Sequence, residues 1–188
     1  MRYWPWLAGR LISRPLGVQA RAQQGRNLFM EISYRPIGVI HSPFTDVKQM
    51  PIQPTGEASA PGTGEVFAEF AEGLRDLEGF SHVILVYHLH ELHGIDLTVT
   101  PFLGSEPHGV FATRAPTRPN PIGISIVKLL KIDGNLLHFG NLDILEGTPL
   151  LDIKPYVRDF DAPVNARAGW LEDIQGKVRS TKSDTRFG

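Results

Sequence analysis

Two short stretches of the sequence hold most of the side chains able to do chemistry. In GVFATRAPTRPNPIG, Gly109 to Gly123, the guanidinium groups of Arg114 and Arg118 and the amide of Asn120 are interleaved with Pro116, Pro119 and Pro121. Proline fixes φ and leaves the chain little freedom to lose on ordering. Two guanidinium forks and an amide on such a loop suit a carboxylate, a phosphate or a nucleobase edge. A rigid surface loop whose arginines pair with nearby acids fits the spacing equally well. In NLDILEGTPLLDIKPY, Asn141 to Tyr156, Asp143 and Glu146 sit about a turn at Gly147, and Asp152, Lys154 and Tyr156 recur at alternate positions. On a strand that spacing puts an acid, an amine and a phenol on one face. The face can bind a ligand or move protons, or it can be an ordinary solvent-exposed ion pair.

Histidines form a third group. His82, His88, His90 and His93 lie within twelve residues, and His88 and His90 share a strand face, a two-ligand metal arrangement that lacks a third ligand. The alternative is a strand with hydrogen-bonded, partly buried imidazoles, and no metal is expected. The sequence has no P-loop and no nucleophile elbow. Gly62-Thr63-Gly64 begins a dinucleotide fingerprint, but Phe67 takes the place of its third glycine, so a Rossmann site is not expected.

These residues need elements to hold them, and short strands dominate the pattern. Ile37 to Ile40, Val66 to Phe70, Val83 to Leu89, Val110 to Ala112, Ile124 to Ile132, Leu136 to Leu142 and Leu150 to Ile153 read as strands. Pro51 to Gly64 and most of Pro101 to Gly123 read as loop. Asp133-Gly134 is a hairpin turn signal. Phe70, Leu74 and Leu77 recur at helical spacing and predict one short helix ending near Gly79. Trp170 to Ile174 predicts a helical turn. Connections this short leave no room for helical crossovers, so the expected fold is mainly β: a small antiparallel barrel or sandwich with one or two short helices.

Composition narrows the class. The chain has 188 residues, 41% of them hydrophobic, and no cysteine, which removes disulfides, thiolate metal sites and cysteine nucleophiles together. No run of uncharged apolar residues is long enough to span a bilayer, so no membrane partner is expected. The formal charge of −1 joins two unlike parts. Arg2, Arg10, Arg14, Arg21 and Arg26 precede every acidic residue, and the rest carries 14 basic against 20 acidic side chains. The step marks a boundary, giving a basic leader at residues 1–30, a domain at 31–175 and a frayed tail at 176–188. The leader reads as a targeting peptide, as a nucleic-acid-binding arm, or as the product of a start codon upstream of Met30.

Four ordered blocks, PIGVIHSPF, LEGFSHVILVYHLH, GVFATR…RPNPIG and LDILEGTPLLDIKPY, resemble the TsaA-like family, which includes the TrmO-type tRNA adenine N6-methyltransferases. The resemblance runs from about Arg35 to about Tyr156, with WLE at Trp170 to Glu172 similar to the ending of short members. It implies a small β-barrel without a Rossmann sheet, a homodimer, S-adenosyl-L-methionine as cofactor, tRNA as partner and a cytoplasmic location. The methyl acceptor it implies is N6 of threonylcarbamoyl-modified adenosine beside the anticodon. Carried over by position, cofactor contacts fall at Pro51, Ile52, Gln53, His90, Glu91, Arg114, Leu142, Asp143, Ile144 and Leu145. Substrate contacts fall at Arg118 and Asn120, and catalytic groups at Asp143, Asp152, Lys154 and Tyr156. Ile52 replaces an arginine of the bacterial enzymes, Glu91 replaces a frequent glutamine, and the additional C-terminal domain of longer members is expected to be missing. On this reading Arg114 holds the methionine carboxylate, Arg118 holds the threonylcarbamoyl carboxylate, and Asp143, Glu146 or Asp152 accepts the N6 proton. The rival reading is a module that binds S-adenosylmethionine without methylating RNA; a histidine-metal hydrolase is a more distant third.

Overall fold

The computed structural model describes residues 31–48, 50–54, 59–174 and Ser183. A boundary between units falls between Ser33 and Tyr34, and the fold described here is that of the unit beginning at Tyr34. The readings of residues 1–30 lie outside the described residues, as do those of the tail apart from Ser183.

Six strands close into an antiparallel barrel. They are β1 (Gly38–His41), β2 (Ala60–Val66), β3 (His82–His88), β6 (Ile122–Asp133), β7 (Leu136–Leu142) and β8 (Thr148–Pro155), in the order β1-β2-β7-β6-β3-β8 with β8 returning to β1. A two-stranded ribbon, β4 (Thr98–Val99) with β5 (His108–Gly109), stands apart from it. Alternation decides what fills the barrel. On β6, Gly123, Ser125, Val127 and Leu129 face inward and are buried, while Ile122, Ile124, Ile126 and Leu130 face outward and are exposed. On β3, Val83, Leu85 and Tyr87 face inward. Ile40, Leu137, Phe139 and Leu150, each fully buried, complete the centre. The register pairs Ile84 with Ile126 and Val86 with Ile124, so the outer wall of β3 and β6 carries a continuous apolar stripe.

Several elements differ from the sequence reading. Residues Ala60–Val66, APGTGEV, form β2 rather than loop, because closing the barrel requires a strand between β1 and β7; tertiary pairing overrides the low strand propensity of proline and glycine. Phe67 onward is accordingly not strand. The expected helix is two 3-10 segments, Ala68–Leu74 and Leu77–Gly79, parted by Asp76 at φ 68°. Val110–Ala112 is a 3-10 turn, not a strand. The hairpin turn falls one residue later than expected, centred on Gly134 and Asn135. Gly134 takes φ 64° there, as the first central position of a primed turn requires. Asn135 then clasps β2: its side chain donates to the Val66 carbonyl at 2.7 Å, and its own carbonyl accepts from the Val66 N–H at 3.0 Å.

Candidate functional site

At one end of the barrel the loops enclose a cavity of about 720 Å³, inside the range of about 300–1,000 Å³ usual for small-molecule sites. Its wall comes from Val47 and residues 50–53, Tyr87 on β3 and the residues after that strand, the 101–116 loop, the β7–β8 connection with Thr148, the Gly169–Ile174 3-10 helix, and Ser183.

The proline-rich loop is held by its own side chains. Val99, Val110 and Ala115 form a small separate core. Thr113 Oγ1 donates to the Val110 carbonyl at 2.9 Å and accepts from the Ala115 N–H at 3.1 Å. Arg118 Nη1 donates to the carbonyls of Thr113 and Ala115 at 3.0 and 3.1 Å. Arg118 therefore braces the loop from within and does not line the cavity; Asn120 is exposed beyond it. Arg114 does line the cavity, and its Nη1 donates to Gln53 Oε1 at 3.2 Å across the opening. At the rim, Trp170 Nε1 donates to the Ala112 carbonyl at 2.8 Å, and its ring stacks on His108 with centroids 4.4 Å apart. Phe111 beside it is 75% exposed.

The β7–β8 connection is zipped to the end of β1. Ser42 Oγ donates to the Ile144 carbonyl, and the Ser42 N–H and His41 Nδ1 donate to Glu146 Oε2 and Oε1 at 2.6 and 2.7 Å. The bond from His41 is the main reason the Glu146 carboxyl ionises below its ordinary range. Glu146 is thus committed to holding the connection. Asp143, one turn earlier, lines the cavity and is half-buried. Burial raises its carboxyl to about 6, against the opposing pull of the Ser125 hydrogen bond, its backbone and Arg114. His90 Nδ1 lies 3.4 Å from Thr148 Oγ1, whose proton goes to the Leu145 carbonyl; His90 Nε2 lies 3.4 Å from Glu91 Oε1.

Pro51, Ile52, Gln53, His90, Glu91, Arg114, Asp143, Ile144 and Leu145 all lie on the cavity wall. Leu142, expected with them, points into the barrel core and is fully buried. Asp152, Lys154 and Tyr156 are not on the wall. Asp152 and Lys154 form a 2.7 Å ion pair with both side chains largely in solvent, and Tyr156 meets His82 edge-on at 6.3 Å. Among the described residues no three His, Asp or Glu side chains converge as a metal site, and no helix is long and apolar enough to cross a membrane. Tyr87 and Thr148 line the cavity although neither was named as a candidate within its sequence block, and Ser125, outside every block, joins the site through Asp143. The one signal for Ser125 was the alternation of β6, which puts a hydroxyl at an inward position between Gly123 and Val127.

Comparison with known proteins agrees with this architecture. A family profile described as "tRNA-methyltransferase O N-terminal domain" matches residues 39–162. A probable S-adenosyl-L-methionine-binding protein of Pyrococcus abyssi is 56% identical over 83% of this chain and 85% of its own length. The tRNA (adenine(37)-N6)-methyltransferase of Escherichia coli is 38% identical over 74% of this chain. The crystal structure of TrmO from Pseudomonas aeruginosa superposes with a TM-score of 0.63 at 41% identity, over 75% of this chain. The chain spans 63% of the length of each of these last two proteins.

Proposed function

Because the chain belongs to the tRNA-methyltransferase O N-terminal domain family, we propose that its cavity binds S-adenosylmethionine and that the protein methylates N6 of an adenine in tRNA. The observation that carries the reading is the convergence on one cavity wall of a guanidinium, a carboxyl of raised pKa and apolar side chains. S-adenosylmethionine supplies an electrophilic methyl group on a cationic sulfur. The residues fit such a molecule. Arg114 offers a bidentate fork to its carboxylate, and Gln53 limits the directions that fork can take. Leu89, Leu103 and Ile144 offer apolar surface to a purine ring. Glu91, at the opening, suits hydroxyl or ammonium donors.

Methyl transfer to an exocyclic amine is an in-line displacement in which alignment supplies much of the rate. The amine must also lose a proton, and of the two carboxyls on the wall, Glu91 and Asp143, burial gives Asp143 the raised proton affinity that suits a base. We assign the acceptor as the threonylcarbamoyl-modified adenosine beside the anticodon, with Asn120 on the RNA side of the proline loop and Arg118 holding that loop in shape. Lys154 stands in reach of solvent, where it suits a phosphate. Phe111 and Trp170 give the rim the aromatic surface on which splayed bases stack. The apolar stripe on β3 and β6 supports a homodimer through that wall, and the proposed compartment is the cytoplasm.

A second reading has its own support: the Pyrococcus relative is named only as a binding protein. The test incubates the full chain with methyl-labelled S-adenosylmethionine and bulk tRNA, with and without the threonylcarbamoyl modification. Label at N6 of the modified pool alone is expected. Tight cofactor binding without transfer to either pool establishes the binding module instead.

A further inference from the structure

Two hydroxyl groups lie inside an otherwise apolar barrel. Tyr87 on β3 and Ser125 on β6 both face inward, 7% and 2% exposed, among Leu85, Val127, Phe139 and Leu150. The register pairs Leu85 with Ser125 and Tyr87 with Gly123, so the two hydroxyls are diagonal neighbours on one face. Tyr87 Oη lies 3.0 Å from Ser125 Oγ, and Ser125 Oγ lies 2.7 Å from Asp143 Oδ1. A buried hydroxyl without a partner costs about 1–3 kcal/mol, and here each has one.

The direction of the chain follows from proton counting. Serine has a single O–H, and Ser125 donates it to Asp143 Oδ1. Tyr87 must then donate to Ser125 Oγ. Burial and the nearby Asp143 charge hold the Tyr87 phenol well above its ordinary range, so it remains a donor at any working pH. A proton on Oδ1 would meet the serine proton head-on, which leaves Oδ2 as the site of protonation.

We infer that Tyr87 and Ser125 are positioning residues: they reserve Asp143 Oδ1 as a fixed acceptor and leave Oδ2 as the atom that takes the proton of the methyl-accepting nitrogen. The inference rests on the methyltransferase reading. As the nitrogen lone pair forms the N–C bond and the S–C electron pair returns to sulfur, the nitrogen sheds one proton; Oδ2 receives it and later yields it to water. The ionisable groups around Asp143 are Tyr87 on β3, Arg114 on the proline loop, and His90 and Glu91 on the same cavity wall.

The experiment compares Ser125→Ala and Tyr87→Phe with the unmodified chain. It reads single-turnover methyl transfer against pH and a ¹³C carboxyl NMR titration of Asp143, assigned with Asp143→Asn. Losing the serine donor raises the Asp143 pKa, so the base is ionised over a narrower range. The S125A inflection should move up by about half to one pH unit. The rate at pH 5 should fall roughly 3–10-fold, at pH 6.5 by only about 1.5–3-fold, and recover at high pH. Y87F, which preserves ring volume, should move both readouts the same way by less. Cofactor affinity in S125A should change less than about twofold, because Ser125 does not line the cavity and only Tyr87 of the pair does. An unmoved inflection and carboxyl titration in S125A overturns the inference while leaving the methyltransferase reading intact. A loss of rate that does not recover at high pH also overturns it. Absence of transfer by the unmodified chain removes that reading and this role together.

Discussion

A Cβ atom on Gly123 would lie 2.1 Å from Cε2 of Tyr87 and 2.5 Å from its Cζ. The glycine is therefore the space in which the tyrosine ring lies, two register pairs from the serine that the ring's hydroxyl reaches. Gly123→Ala must displace the ring or part the strands, and overpacking of this kind costs about 1–3 kcal/mol. Chemical denaturation should show that loss. The Asp143 titration should shift upward in the same variant; a destabilised protein with an unmoved Asp143 would separate the glycine from the hydroxyl chain.

Asp143 sets a pH dependence of its own. Its carboxyl titrates near 6 in the folded protein against an ordinary 3.8, so between those values the folded state binds more protons than the unfolded one. Stability contributed by this group is then full below about 4 and declines as pH rises to about 6. Asp143→Asn keeps an acceptor for Ser125 and removes the decline. It should raise the unfolding free energy at pH 7.5 by about 1–3 kcal/mol while abolishing methyl transfer. Calorimetric scans at pH 4 and pH 7.5 check the sign; equal gains at both pH values would contradict it.

Arg114 tests the cofactor end of the cavity. Losing a charge-assisted fork costs about 1.5–3 kcal/mol, so Arg114→Ala should weaken S-adenosylmethionine binding by roughly 10–150-fold. Lysine cannot reproduce the fork and should restore only part of the loss. Isothermal titration measures both. Lys154→Ala is the matched comparison: its exposed ion pair with Asp152 is worth at most about 1 kcal/mol, and cofactor affinity should not move.

The outer stripe carries the assembly prediction. Ile124→Glu combined with Ile126→Glu leaves the core untouched, because both side chains face outward. Sedimentation should show the unmodified chain at twice the monomer mass and the double variant at monomer mass, with unaltered thermal unfolding onset at high dilution. A monomeric unmodified chain removes the dimer.

Apolar runs bounded by turn residues made β3, β6, β7 and β8 legible as strands, whereas the inward and outward faces emerge only in the folded barrel. β2 was hidden because Pro61, Gly62 and Gly64 are poor strand formers that only barrel closure can enforce. Arg114 and Asp143 were legible as chemistry because polar groups sat beside ordered turns. Arg118 was not separable from Arg114 by type or spacing; only the fold shows one guanidinium turned into its own loop and the other into the cavity. Asp152 and Lys154 met the strand-face criterion, yet the face in question looks away from the cavity. Ser125 went unread because one hydroxyl inside IGISIVKLL has no spacing partner in the sequence; its partners come from two other strands.

Every strand of the barrel has a neighbour on both sides, β1 joining β2 to β8. Such a sheet presents no row of vacant amides and carbonyls to which a stray peptide or a second copy could add. Self-association through the barrel wall must accordingly be written in side chains, where a few outward residues can grant or revoke it without disturbing the backbone ladder.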